Sequence, residues 1–178
     1  RISAIVSETL PEVRYSVLSG PSFAGEVAQG LPTALTAASR HETSALLWQS
    51  ALNTQRLRIY TSSDVVGTET GGAVKNIMAI ASGMASALGL GENARAALVT
   101  RGLAEIMRLG EALGAHPLTL AGLAGMGDLV LTCYSTQSRN FRLGLALGRG
   151  LSLDEAKLEV GQVAEGAFTV RAVAESAL

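Results

Sequence analysis

The chain has few of the residues that build disulfides and metal clusters. It holds one cysteine in 178 residues, Cys133, which excludes an internal disulfide and a cysteine-based metal cluster. The two histidines, His41 and His116, are far apart in the sequence and lack metal-ligand spacing. We therefore expect no bound metal.

Charge is also scarce. Charged residues make up 16% of the chain, the net charge is −1 and there is no basic run, so no nucleic-acid surface is expected. The uncharged stretch 78–91 is too short for a membrane span and is rich in small residues, which favours a core helix. No signal or transit peptide is recognised, and the cytoplasm is the expected compartment.

The hydrophobic patterning divides the chain near residue 64. Three strands are predicted at 15–20, 32–38 and 57–61, with a helix at 45–52, an order typical of the end of an α/β sheet. Further helices are predicted at 65–88, 94–113, 117–124, 139–148, 152–159 and 167–178. Asn93 is the predicted N-cap of the second of these, and the run 129–133 fits either a strand or a helix. The fold class is therefore mainly α: an all-helical domain over 65–178, preceded by the trailing part of an α/β domain over 1–64.

Lys75 is the most informative residue, because it is the only charged residue from Gly71 to Leu90. A helix that is apolar on most faces is buried, and burial lowers the pKa of a lysine enough for it to exchange protons during a reaction. The alternative is a lysine whose stem packs while its ammonium group reaches water. Small residues at helical spacing from Lys75 leave room that either a ligand or another helix can fill.

Two glycine-containing turns carry polar side chains. Asp128 follows Gly125-Met126-Gly127, and its carboxylate can accept a hydrogen bond from a substrate, pair with Lys75 or cap a helix. The turn 19–24 follows the first predicted strand, and α/β sheets bind ligands at the carboxyl ends of strands. An ordinary strand-to-helix turn capped by Ser22 explains that turn equally well.

Arg139 and Arg142 fall in the first turn of the helix predicted after Ser138. A helix start attracts anions, and acidic side chains usually occupy its first turn. Arginines at this position are favourable when an anion compensates them, and their fork geometry suits phosphate. The alternative is an exposed pair of surface arginines.

Six motifs, in order and in register, resemble the bacterial type of NAD(P)-dependent glycerol-3-phosphate dehydrogenase. They lie at 19–24, 71–76, 100–105, 127–133, 137–140 and 161–166 and cover nearly the whole chain. The resemblance implies an oxidoreductase that interconverts dihydroxyacetone phosphate and sn-glycerol 3-phosphate with NAD or NADP, for glycerophospholipid synthesis. It implies that residues 1–64 are the trailing part of a Rossmann domain, and it allows for a homodimer.

The resemblance also implies roles for particular residues. Lys75 would be the catalytic acid/base. The implied substrate contacts are Gly20, Ser22, Lys75, Asp128, Ser138, Arg139 and Asn140. The implied dinucleotide contacts are Ala24, Arg139, Val163 and Glu165.

The chain departs from the family pattern at its ends. Family members carry a longer segment before the point that matches Arg1, with the glycine fingerprint and a second substrate-binding lysine, and they continue with helix beyond Leu178. The only letter match to a fingerprint here, 89–94, follows a predicted helix instead of a strand and is rejected. We therefore expect part of a longer enzyme that neither binds the cofactor tightly nor turns over by itself.

Two alternatives remain open. A 3-hydroxyacid or 6-phosphogluconate type of dehydrogenase also uses a lysine on the first helix of a helical domain, with an asparagine one turn later. Here position 79 is alanine and the asparagine is adjacent, at Asn76, which argues against that class. The other alternative is a non-catalytic helical module for dimerisation or for binding a phosphate ligand.

Overall fold

The structure is a computed structural model, and it describes residues 2–161 together with Gly166 and Thr169. The strands are β1 (Val17–Ser19), β2 (Thr33–Ala38) and β3 (Leu57–Ser62). The helices are α1 (Ile2–Thr9), α2 (Ala24–Ala28), α3 (Glu42–Leu52), α4 (Val65–Ala87), α5 (Gly91–Ala112), α6 (Pro117–Leu120), a π-helix (Leu123–Gly127), α7 (Asp128–Tyr134), α8 (Arg139–Gly148) and α9 (Leu153–Val160). The predicted class, a short α/β part followed by helices, is confirmed.

The backbone divides into two compact units. The first unit comprises Arg1–Gly72 and Ile106–Asp128, and the second comprises Ala73–Glu105 and Leu129–Leu178. Each unit therefore draws on two separate stretches of the sequence. The domain boundary between residues 64 and 65 stays a prediction.

The first unit contains the sheet, in the order β1-β2-β3. Strands β2 and β3 are parallel, with Leu35 opposite Ile59, and α3 connects them, as the strand-helix-strand pattern predicts. Strand β1 is antiparallel to β2, and Val17 pairs with Ala38. Ala38 and Ile59 are fully buried, so the strands are held by a small apolar core as well as by the ladder.

Two carboxylates fasten the loops and helices of the first unit. Glu69 accepts hydrogen bonds from the backbone and the hydroxyl of Ser3 and from the hydroxyl of Tyr15, at 2.5–2.8 Å. Asp64 accepts one from the backbone N–H of Gly67, at 2.7 Å, and another from that of His116, at 2.8 Å. Asp64 thus caps the start of α4 and fixes the loop before α6 at the same time.

The sequence did not predict α1. Isoleucine and valine recur in it, and β-branched residues have a low helix propensity, so nothing local indicated a helix there. The bonds from Ser3 to Glu69 show that tertiary contacts support this helix.

Several predicted helix boundaries were wrong. Asn93 is not an N-cap, because α5 already begins at Gly91 and Asn93 lies within its first turn. The helix predicted over 117–124 is interrupted at Gly122, whose extended backbone separates α6 from the π-helix. The run 129–133, which fitted a strand or a helix, is helical. The helix predicted at 167–178 lies outside the described residues, apart from Thr169.

Within the described residues, one stretch, Pro117–Tyr134, is long and apolar enough to cross a membrane by length and composition alone. It is 39% buried, and core helices pass the same test, so this is weak support for a span. The stretch is also broken into α6, the π-helix and α7, and lipid does not tolerate irregular backbone well.

Candidate functional site

Lys75 lies on α4, near the start of the part of that helix that belongs to the second unit. The side chain is half-buried, and the turns after it are closed to solvent: Ala79 and Ser82 are fully buried. At four-residue spacing Lys75 is followed by Ala79, Gly83 and Ala87, a row of small side chains. The predicted apolar helix around Lys75 is therefore present.

A helix, α8, fills the room along this row. A Cβ atom at Gly144 would overlap the carbonyl oxygen of Ile80, and one at Gly148 would lie 2.9 Å from the carbonyl oxygen of Met84. The two backbones therefore touch without side chains between them. Because the contacts advance in the same direction along both helices, α4 and α8 run side by side and parallel.

Gly166 continues this register towards the starts of the two helices. Its backbone N–H donates a hydrogen bond of 2.9 Å to the side-chain oxygen of Asn140, which is 4% exposed. A Cβ atom at Gly166 would lie 2.9 Å from the carbonyl oxygen of Asn76. Gly166 thus lies between the α4 turn that carries Lys75 and the first turn of α8, and places them at the same level of the second unit.

The start of α8 has the predicted cap. Ser138 has an extended backbone, and its Oγ accepts a hydrogen bond of 3.2 Å from the backbone N–H of Phe141. No acidic residue occupies the first turn, which carries Arg139 and Arg142, both half-buried. The Nε of Arg142 is buried and makes no hydrogen bond to the described residues. This cationic helix start has the donors and the charge to hold an anion such as a phosphate group.

The charge of Lys75 also reaches Cys133. Burial raises the pKa of the Cys133 thiol to about 12, and the positive charges of Arg95 and Lys75 oppose that rise. Cys133 is fully buried at the end of α7, so its thiol is neutral at ordinary pH. The two positive charges therefore lower the pKa of Cys133 by less than burial raises it.

The first unit brings together its own predicted site residues. Gly20 has a φ of 140°, a conformation that favours glycine, and its carbonyl oxygen accepts a hydrogen bond of 3.1 Å from the Ser22 hydroxyl. A Cβ atom at Gly127 would lie 3.5 Å from Pro21, so this turn packs beside the segment that leads into Asp128. The Asp128 side chain is buried.

The structure contradicts two of the simpler interpretations of these turns. Ser22 does not cap α2, because the N-cap is Phe23 and no side chain makes the capping bond. Asp128 is not an extended N-cap residue, because its backbone is already helical, at φ −70° and ψ −33°. The Ser22 hydroxyl instead donates to the Gly20 carbonyl oxygen, and Asp128 is an acidic residue in the first turn of α7.

The predicted dinucleotide contacts are only partly within the described residues. Ala24 is the exposed first residue of α2, and Arg139 lies in α8. Val163 and Glu165 lie outside the described residues. Neither β2 nor β3 is followed by a glycine-rich turn that could hold a pyrophosphate, so the described residues do not by themselves fit a dinucleotide. Among them no three acidic, histidine or cysteine side chains gather as a metal site.

Sequence reasoning missed the residues that set the register of the helices. The glycines at 144 and 148 lie one turn apart, a spacing typical of close helix contacts, and this was the available signal. Gly166 gave no such signal, because its role depends on Asn140, which is distant in sequence.

Together the features define a class of protein: an α/β sheet and a helical part with a lysine and a basic helix start, suited to a phosphate-bearing ligand.

Comparison with known proteins identifies the family. Two family models match the chain: NAD-dependent glycerol-3-phosphate dehydrogenase N-terminus over residues 1–45, and NAD-dependent glycerol-3-phosphate dehydrogenase C-terminus over residues 64–178. The chain belongs to the NAD-dependent glycerol-3-phosphate dehydrogenase family, which confirms the resemblance of its motifs.

Individual relatives agree with this assignment. The glycerol-3-phosphate dehydrogenase (NAD(P)+) of Aromatoleum aromaticum is 58% identical over 174 residues, which cover 97% of this chain and 53% of the relative. That of Rhodospirillum rubrum is 57% identical over 173 residues, covering 97% and 50%. The crystal structure of glycerol-3-phosphate dehydrogenase from Coxiella burnetii has a TM-score of 0.94 and 48% identity, over 98% of this chain and 55% of that one.

These matches bear on the alternatives and on the extent of the chain. These relatives are glycerol-3-phosphate dehydrogenases, and none of them is a 3-hydroxyacid or 6-phosphogluconate dehydrogenase. NAD or NADP is the cofactor that the names of the curated relatives give. The chain spans about half the length of the curated relatives that it matches.

Proposed function

We propose that this chain supplies the proton-transfer and phosphate-binding part of an oxidoreductase that interconverts dihydroxyacetone phosphate and sn-glycerol 3-phosphate. The observation that carries the proposal is the parallel contact of α4 with α8, which sets Lys75 level with the turn 138–140. A general acid and an anion-binding helix start are the two groups that reduction of a phosphorylated ketone needs from the protein.

The phosphate group of the substrate would bind at the start of α8. There the positive end of the helix dipole favours negative charge. Arg139 adds a guanidinium whose fork matches phosphate oxygens, and Ser138 and Asn140 add polar side chains beside it. Gly20, Ser22 and Asp128 of the first unit are proposed as further substrate contacts, with the carboxylate accepting a hydrogen bond from a substrate hydroxyl.

Lys75 would hold the proton that the reaction moves. In reduction its ammonium group gives a proton to the carbonyl oxygen as that oxygen gains negative charge, and in oxidation the amine takes the hydroxyl proton. When bound, NAD or NADP would supply or accept the hydride. Ala24, Arg139, Val163 and Glu165 are proposed contacts to that dinucleotide. We further propose that the enzyme works in the cytoplasm, serves glycerophospholipid synthesis and forms a homodimer.

The two lysines of the chain provide the test. Lys157 lies on α9, its side chain is 43% exposed, and its Nζ lies 3.7 Å from the carboxylate of Asp154. In the protein as its gene encodes it, Lys75→Ala should lower kcat for dihydroxyacetone phosphate by a factor on the order of 10² to 10⁴, the usual contribution of acid/base catalysis. Lys157→Ala is the matched control and should keep its activity.

Two measurements interpret that result. The thermal unfolding midpoints of both variants should stay near that of the unsubstituted protein, which separates lost chemistry from lost folding. Near-normal turnover of dihydroxyacetone phosphate by Lys75→Ala would reject the assignment of Lys75, and with it the proposed function of this site.

A further inference from the structure

Arg95 is a buried cation that the proposed mechanism does not use. It lies on α5 in the second unit, and only 8% of it is exposed. Its Nη1 pairs with Glu92 Oε1 at 2.6 Å, and its Nη2 donates a hydrogen bond of 3.4 Å to the carbonyl oxygen of Cys133. Burying a charged guanidinium group costs solvation free energy, so contacts within the protein must offset that cost.

The guanidinium group lies against both ends of the connection between α7 and α8. Its carbon is 4.6 Å from the ring centre of Tyr134, the last residue of α7, and 5.5 Å from that of Phe141, in the first turn of α8. Both distances are within the range of cation–π attraction. Phe141 is also the residue whose N–H the Ser138 cap accepts. Arg95 therefore contacts the residues that flank 135–140 on both sides.

The same contact includes α4. The carbonyl oxygen of Cys133 accepts a second hydrogen bond, of 2.8 Å, from the hydroxyl of Ser82, which follows Lys75 on α4 by about two turns. One carbonyl group thus joins α4, α5 and α7. The Nε of Arg95 is buried without a hydrogen-bond partner among the described residues. The position of this side chain is therefore not explained by its hydrogen bonds alone.

We infer that Arg95 is a positioning residue for phosphate binding: it fixes the connection between α7 and α8 so that Ser138, Arg139 and Asn140 keep the geometry that holds the substrate phosphate. The inference rests on the proposed function. Arg95 does not act on the reacting atoms itself. It acts through Cys133, Tyr134 and Phe141, which surround the phosphate-binding turn.

The test is steady-state kinetics of the protein as its gene encodes it. Arg95→Met keeps an unbranched apolar stem but is shorter and lacks the charge and the fork, and Arg95→Lys keeps the charge without the fork. Both should raise the KM for dihydroxyacetone phosphate, Arg95→Met by roughly ten- to hundredfold, because small displacements of binding groups have effects of that size. The kcat should change less than about threefold, since Lys75 remains in place. The control is Arg101→Met on the same helix, where the arginine is 73% exposed and pairs with Glu105, and it should change neither constant.

A double-mutant cycle with Arg139→Ala separates positioning from general loosening. If Arg95 acts through the same phosphate contact, the effects of Arg95→Lys and Arg139→Ala on KM should be less than multiplicative. A fall in kcat at unchanged KM, or fully multiplicative effects, would overturn the inference. Failure of the proposed function would show differently, as unchanged activity in Lys75→Ala or unchanged KM in Arg139→Ala alone.

Discussion

The contacts between strands in the sheet of the first unit differ in kind from the contact between the two helices α4 and α8 in the second. The strands β2 and β3 are joined by backbone hydrogen bonds, which leave the side chains on either face free to differ in size. On β3, for example, large Arg58 and Tyr60 are exposed while Ile59 between them is buried. The helices α4 and α8 satisfy their backbone bonds internally and approach only because side chains are missing at Gly144 and its partners. The sheet tolerates added atoms on its exposed face, and the helix contact does not.

This difference bears on function, because the intolerant contact is the one that aligns the candidate site. The level of Lys75 relative to the turn 138–140 is set by where Gly144 meets Ile80 and where Gly166 meets Asn140. A contact between backbones leaves little freedom to slide, since any shift brings a side chain into the contact. The register of α4 against α8 in the second unit is therefore fixed.

The largest effect is expected at Gly144, in the contact between α4 and α8. A Cβ atom there would overlap the Ile80 carbonyl oxygen, which is backbone and cannot rotate away, so Gly144→Ala must push α8 off α4. The free energy of unfolding should fall by about 3 kcal/mol, measured by urea denaturation. Gly25→Ala is the control in the first unit: nothing lies within 4 Å of its Cβ position on α2, and the change should be neutral or stabilising, by up to about 1 kcal/mol. Equal effects of the two substitutions would contradict the contact.

A smaller effect is expected at Asp64, where the first unit depends on polar side-chain bonds. Asp64→Ala removes the acceptor of two backbone N–H groups, those of Gly67 and His116. The loss of a helix cap and of one further charged hydrogen bond should lower the free energy of unfolding by about 2 kcal/mol. The comparison is Asp154→Ala on α9, whose carboxylate is 93% exposed, where denaturation should show almost no change. A similar loss in both variants would remove the special role of Asp64.

The effect that is smallest at neutral pH, where it vanishes, concerns the pH dependence of the second unit. The Cys133 thiol has a folded-state pKa of about 12 against an ordinary value of 9.0. Below pH 9 it is neutral in both states, and its stabilising contribution is complete. From pH 9 to 12 the unfolded chain loses this proton while the folded chain keeps it, so the free energy of unfolding falls as pH rises, by at most ~1.4 kcal/mol per pH unit.

Cys133→Ala isolates that contribution. Its free energy of unfolding should decline less steeply than that of the unsubstituted protein between pH 9 and 12, in denaturant titrations at matched ionic strength. The pKa of Tyr15, raised to about 12 by burial and by its bond to Glu69, affects both proteins equally and cancels in the difference. Identical slopes would show that the Cys133 environment is open to water.

The features that could be predicted from the sequence are those that depend on residues close together in the chain. The Ser138 cap follows from a capping residue before an amphipathic segment, and the parallel pair β2 and β3 follows from strand, helix and strand in sequence. Asn93 failed because two good starting positions lie close together and the chain uses the earlier one, Gly91. The rule about caps is sound, but it does not choose between neighbours.

Long-range contacts could not be predicted from the same rules. The small residues after Lys75 were equally consistent with a ligand or a helix beside them, and only the fold shows α8 against Gly83. Arg95 reads in sequence as one more charged residue on an amphipathic helix. Its burial depends on Tyr134 and Phe141, which approach it only after folding. Residues whose roles depend on partners from other helices were therefore the ones missed.

We propose that Lys75 and the start of α8 serve one phosphorylated substrate. The most direct measurement is a crystal structure of the protein, as its gene encodes it, with sn-glycerol 3-phosphate bound. We expect the phosphate to lie against Ser138, Arg139 and Asn140, with a substrate hydroxyl at hydrogen-bond distance from Lys75 Nζ. A phosphate bound away from that turn, or a hydroxyl out of reach of Lys75, would contradict it.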